Sequence, residues 1–202
     1  PSGSIAVFGA ESDPPVYRPD LSKTLWLKDE ASVEDSLLDT ADAELRKDTS
    51  VEQMDPEAHT VTLTDGTVVG YGRLLLATGA QPRTTDLAAG PRVVYFRTAA
   101  DFRTLRAVAK PGARIVVVGG GYIGSEMAAV LAQNDVAVTM VLDGDWVQAA
   151  MFPEALARTV TEDFVAHQVK LVHGLLSGGE VGEESVTLRL NDGSELDADA
   201  VV

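Results

Sequence analysis

Residues 114–131, RIVVVGGGYIGSEMAAVL, decide how the rest of the chain is read. Positions 115–118 form a continuous β-branched run, the pattern of a strand buried on both faces. Three glycines follow, and then Met127, Val130 and Leu131 fall at helical spacing. The order is strand, glycine turn, helix. Gly119, Gly121 and Gly124 fit G-x-G-x-x-G. A second apolar run, 136–142, ends in Asp143, nineteen residues after Gly124. A glycine fingerprint between strand and helix, with an acidic residue about 20 positions on, is the signature of a dinucleotide-binding βαβ unit.

Each piece has a physical task. Gly119 permits the tight turn, Gly121 lets a pyrophosphate approach the backbone, and Gly124 lets helix and strand pack closely. Tyr122 and Ile123 lie inside the fingerprint and count among its cofactor-binding residues. The N–H groups and positive dipole end of the helix then face the phosphates. Asp143 is placed to accept hydrogen bonds from the adenosine ribose, with Asp145 as the alternative acceptor. No Lys or Arg lies between Arg114 and Arg158, so a 2′-phosphate would meet carboxylates without a local cation. This predicts NADH in preference to NADPH.

Flanking segments read as packing elements. Thr98 and Asp101 form a capping-box pattern for a helix that turns Phe102 and Leu105 inward. Pro153 marks a helix start with Glu154 in its first turn. Leu156, Val160 and Phe164 recur every fourth position and predict that helix's apolar stripe, and Leu171 and Val172 predict a short strand.

Outward from there, composition excludes several functions. The chain has 202 residues, 45% hydrophobic and 23% charged, ordinary for a globular domain. No apolar run is long enough to span a membrane, no signal-peptide pattern is visible, and the expected location is cytoplasmic. Net charge is −15 and the cations are scattered, so nucleic acid is not an expected partner. With no cysteine, the segment holds no disulfide, no Cys-rich metal site and no redox dithiol.

An internal repeat organises the chain. Residues 61–66, VTLTDG, and 186–193, VTLRLNDG, are both strands entering an Asp-Gly turn. The two Asp-Gly pairs are 127 residues apart. Each is followed by an apolar stretch, LLLATG at 74–79 and ADAVV at 198–202. On this alignment 5–8, IAVF, is the second strand of an earlier dinucleotide domain, whose glycine loop would precede residue 1. Pro1 is not an initiator Met, and a longer protein with two related domains is expected.

Four segments carry a family resemblance: YRPDLSK at 17–23, LLATGAQPR at 75–83, YFRTAADFRTL at 95–105 and GGGYIGSE at 119–126. The sequence resembles the FAD- and NAD(P)-dependent pyridine nucleotide oxidoreductases, in the branch of ferredoxin reductases and apoptosis-inducing factor. KTLW at 23–26 and FPE at 152–154 look most like the apoptosis-inducing-factor side. The resemblance implies an α/β fold of two three-layer, Rossmann-like domains, each with a parallel sheet and an antiparallel β-meander. Residues 1–96 would bind FAD and lack the first strand and glycine loop, and 97–202 would bind NADH and lack the last strand. The implied activity is hydride transfer from NADH to flavin. The electrons then pass to ferredoxin, rubredoxin or a quinone-like acceptor without a protein dithiol. The alternative is a redox-sensing flavoprotein with slow turnover and NADH-linked homodimerisation.

By the same resemblance, Glu11 binds the FAD ribose, and Arg18 and Lys23 line its pyrophosphate and flavin. Val51 contacts adenine through its backbone, with a core valine as the competing reading. Thr78 and Gly79 form the second FAD motif, and Arg83 is a flavin-side contact or a surface arginine. Glu126 is implied to pair with Lys23 at the hydride-transfer site, although the helix dipole alone could explain a carboxylate there. The family's second proline is replaced by Asp20.

Overall fold

In the computed structural model, which describes residues 3–28 and 30–202, the chain divides into two compact units. One comprises Pro1–Tyr17 and Glu34–Gln81, the other Arg18–Val33 and Pro82–Val202. The division departs from a single boundary at 96/97. Residues 18–33 join the second unit because their apolar side chains pack there. Trp26 is 2% exposed, meets Phe102 edge-to-face at 5.4 Å, and lies under the Arg106 guanidinium at 5.1 Å. The Asn134 amide also donates to the Trp26 carbonyl at 3.0 Å.

In the first unit, β1 (Ala6–Phe8) pairs in parallel with β2 (Glu44–Arg46). An antiparallel meander follows: β3 (Val51–Asp55), β4 (Thr60–Leu63) and β5 (Val68–Gly70). Alternation along β4 buries Val61 and Leu63. The Asp-Gly turn forms as its sequence predicts, with Gly66 at φ +84° and Asp65 Oδ1 accepting from the Thr67 N–H at 2.9 Å. Residues 74–79 form no strand, and Leu75 is 86% exposed.

The second unit opens with α1 (Ala99–Val108), whose Thr98–Asp101 capping box is present and whose Phe102 and Leu105 are buried. Then come β6 (Arg114–Val118), α2 (Tyr122–Gln133), β7 (Ala137–Leu142), α3 (Glu154–Ala166) and β8 (Lys170–His173). A second meander comprises β9 (Leu176–Val181), β10 (Val186–Leu190) and β11 (Glu195–Ala198). The unit closes with β12 (Ala200–Val201).

The parallel sheet runs β12-β6-β7-β8. Alternation in β6 and β7 sends Val116 and Val141 to one face, where they pack with Val186, Leu188 and Leu190 of the meander. Val117 points to the opposite face, against the start of α2. The unit is therefore three layers: meander, parallel sheet and helix.

At the edge of the sheet Ala200–Val201 pairs in parallel with Ile115 and Val116. One expectation needs correction: α3 does not pack through Leu156, which is exposed; Ala157 and Thr161 are its buried residues. The Thr161 hydroxyl accepts from the Val147 N–H at 2.8 Å and donates to the Ala157 carbonyl at 2.7 Å. That hydroxyl satisfies a buried backbone N–H at the contact, and Val160 and Phe164 are half-buried on the same helix.

Candidate nucleotide site and its ion pair

The glycine turn has the geometry its sequence implies. Gly119 sits at φ +102°, and its N–H donates to the Val141 carbonyl at 2.8 Å. A Cβ on Gly124 would collide with the Gly119 carbonyl oxygen. A Cβ on Gly121 would meet nothing within 4 Å, so the turn is closed beneath the helix and open above it. Gly121 caps α2, whose first N–H groups have no partner within the helix. Asp143 and Asp145 are both exposed beyond the end of β7. An open backbone cradle at a helix N-terminus, with carboxylates one strand away, fits the pyrophosphate and ribose of a dinucleotide.

One turn into α2 stands Glu126. Residues 18–22 and 24–26 are two short 3₁₀ turns locked down by Leu21, Leu25 and Trp26, and the Trp26 indole N–H donates to the Leu21 carbonyl at 2.7 Å. That anchoring brings Lys23 Nζ to 2.7 Å from Glu126 Oε1. Ser22 Oγ donates to the other carboxylate oxygen, Oε2, at 2.6 Å. Both oxygens of Glu126 are thus held, while half of the Lys23 side chain remains exposed. Sequence reading missed Ser22. Its only signal was adjacency to Lys23, because a 3₁₀ turn alone does not show that both side chains reach one carboxylate 104 residues away.

Over residues 1–202 the sequence matches the family described as pyridine nucleotide-disulphide oxidoreductase. The chain belongs to this family. It is 34% identical over 208 residues to the ferredoxin–NAD(+) reductase component of the p-cumate 2,3-dioxygenase system of Pseudomonas putida, covering 100% of this chain and 51% of that one. Mitochondrial apoptosis-inducing factor 1 of Dictyostelium discoideum is 26% identical, with 98% and 43% covered. The structure of a covalent putidaredoxin reductase–putidaredoxin complex superposes with a TM-score of 0.90 at 28% identity, covering 99% of this chain and 51% of that one. The chain therefore spans about half the length of the proteins it matches.

Within residues 1–202 there is no cysteine. The other residues implied by family resemblance divide between the units. In the second unit, Arg18 Nη1 donates to the Arg97 carbonyl at 2.8 Å, and Arg83 is exposed. Tyr122 and Ile123, in the first turn of α2, are exposed beside the open cradle. In the first unit, Glu11 follows β1, and its carbonyl accepts from the Asp48 N–H at 3.2 Å. Val51 is 45% exposed at the start of β3. Gly79 adopts φ +67° next to Thr78, a conformation that favours glycine.

Proposed function

We propose that the protein carrying this chain is a FAD-dependent oxidoreductase that takes a hydride from NADH and passes the electrons to a small redox protein. The observation that carries this is the Lys23–Glu126 pair, 2.7 Å apart and one helical turn from the glycine cradle. Flavin and nicotinamide, when bound, supply the hydride-transfer chemistry. The chain's residues position them. Gly119, Gly121 and Gly124, with Tyr122 and Ile123, take the NADH pyrophosphate on the backbone of α2. Asp143, with Asp145 beside it, accepts the ribose hydroxyls. Glu126 is fixed by Ser22 and Lys23 and presents a fixed geometry at the nicotinamide end. Lys23 and Arg18 place positive charge along the flavin and pyrophosphate, with Arg83 on the flavin side. Glu11, the Val51 backbone, Thr78 and Gly79 serve the adenosine half of FAD. On this reading residues 1–96 make up the FAD domain and 97–202 the NAD(H) domain, with 18–33 lending the lysine to the second unit.

Exposed Asp143 and Asp145, with no cation between Arg114 and Arg158, favour NADH over NADPH. Likeness to dioxygenase-system reductases favours a ferredoxin-type iron–sulfur acceptor over rubredoxin or a quinone-like molecule, and a cytoplasmic location is part of the same proposal. A flavin absorbance spectrum and anaerobic bleaching by NADH test the core of the proposal. Glu126→Ala should slow flavin reduction by NADH on the order of 100-fold while leaving FAD retention nearly unchanged. Equal losses of both, or no loss, overturn the assigned role.

Similarity to apoptosis-inducing factor favours a second reading, a redox-sensing homodimer with slow turnover. Acceptor-dependent NADH oxidation separates the two. Rapid turnover supports the reductase, whereas slow turnover with NADH-linked dimerisation supports the sensor.

A further inference from the structure

The loop after β7 lies directly on the glycine turn. A Cβ on Gly120 would come within 2.7 Å of Leu142 Cδ2, 3.5 Å of Val147 Cα and 3.7 Å of the Gln148 nitrogen. The loop is fastened on its far side by Thr161, through the Val147 N–H. Gln148 holds a left-handed backbone at φ +59°, which a side chain rarely adopts without a constraint. In that conformation its N–H donates to the Gly120 carbonyl at 2.7 Å. In a trans peptide the C=O and the next N–H point in opposite directions. Pinning the Gly120 carbonyl to the loop therefore turns the Gly121 N–H away from the loop.

The Gln148 side chain reinforces the same turn. Its Nε2 donates to Ser125 Oγ at 2.7 Å, and Ser125 Oγ donates to the Tyr122 carbonyl at 3.0 Å in the first turn of α2. Ser125 is 3% exposed. Gln148 Oε1 is buried with no partner among the described residues, so the amide is held through its nitrogen.

We propose that Gln148 is a positioning residue for the nucleotide's pyrophosphate, acting through Gly120 and Ser125 on the N–H groups that receive it. The proposal rests on the nucleotide reading above. It is tested in the intact protein by titrating NADH, ADP and adenosine into wild type, Gln148→Ala, Gln148→Gly, Ser125→Ala and the Gln148→Ala/Ser125→Ala double variant. Melting temperature serves as the check on folding. Each single variant should bind NADH and ADP roughly 3- to 10-fold more weakly, the range for one hydrogen bond, and bind adenosine as wild type does. The double variant should be no weaker than the worse single. Equal loss for all three ligands, additive losses, or no loss overturns the positioning role. If wild type binds none of the three, the nucleotide site itself fails, and the proposal fails with it.

Discussion

The two meanders, β3–β5 and β9–β11, are built on one pattern 127 residues apart, yet they end differently. Both turn at Asp-Gly with glycine at φ +84°, and in both the aspartate Oδ1 accepts from the N–H two residues on. In the second unit, Val186, Leu188 and Leu190 are at most 1% exposed because a parallel sheet lies beneath them. In the first, the equivalent Val61 and Leu63 are buried too, at 4% and 3%, but β3 is exposed along its whole length. The stretches after the two meanders diverge further. Ala200–Val201 is a buried strand beside β6, whereas 74–76 is exposed and irregular with no counterpart of β6 beside it among the described residues. The same apolar signal becomes a strand only where a partner edge offers hydrogen bonds and a face to bury.

The largest expected break in the likeness comes from matched core truncations. Leu190→Ala should cost about 2–5 kcal/mol, the range for a well-packed core leucine. Its equivalent Leu63 is 3% exposed but lies beside the exposed β3, so Leu63→Ala should fall at the low end of that range, about 2 kcal/mol. Urea denaturation followed within each unit reads both, and equal losses would erase the energetic distinction. Next, Gly66→Ala and Gly193→Ala should cost alike, about 1–2 kcal/mol each, since both glycines occupy the same left-handed conformation. Unequal shifts would show that the two turns are not equivalent.

The smallest effects are electrostatic. Asp199 is held below the ordinary carboxylate range, first by the Arg114 backbone N–H and then by the Arg114 side chain. A depressed carboxylate stabilises the fold above its ordinary pKa, and that stability is lost as pH falls through the lower folded value. Asp199→Asn should therefore weaken the second unit at neutral pH and flatten its acid unfolding curve. Asp65 and Asp192 are lowered in the same direction by Thr67 and Ser194. Their Asn variants should shift acid unfolding slightly, and by matching amounts. A shift toward greater stability as pH falls would contradict the sign for all three.

What the sequence disclosed follows the range of the forces involved. β6, the glycine turn, α2 and β7 were legible because β-branched runs, backbone-permissive glycines and helical spacing act over a few residues. The Thr98–Asp101 capping box was legible for the same reason. Three features were not. Ser22 meets Glu126 across 104 residues. Gln148 is placed by the glycine turn it lies on, and no local propensity predicts a left-handed glutamine there. The most buried residues of α3 are Ala157 and Thr161, and the Thr161 hydroxyl meets the Val147 N–H fourteen residues away. Lys23–Glu126 came from family resemblance, and no local pattern pairs them.

The placement of residues 18–33 has a consequence in time. At a synthesis rate of about 5–20 residues per second, Lys23 leaves the ribosome roughly 5–20 s before Glu126. Leu21, Leu25 and Trp26, at most 2% exposed in the finished fold, emerge before Phe102 and α2 exist to cover them. Throughout that interval these apolar side chains lack their final cover, and the ion pair cannot form until Glu126 has emerged.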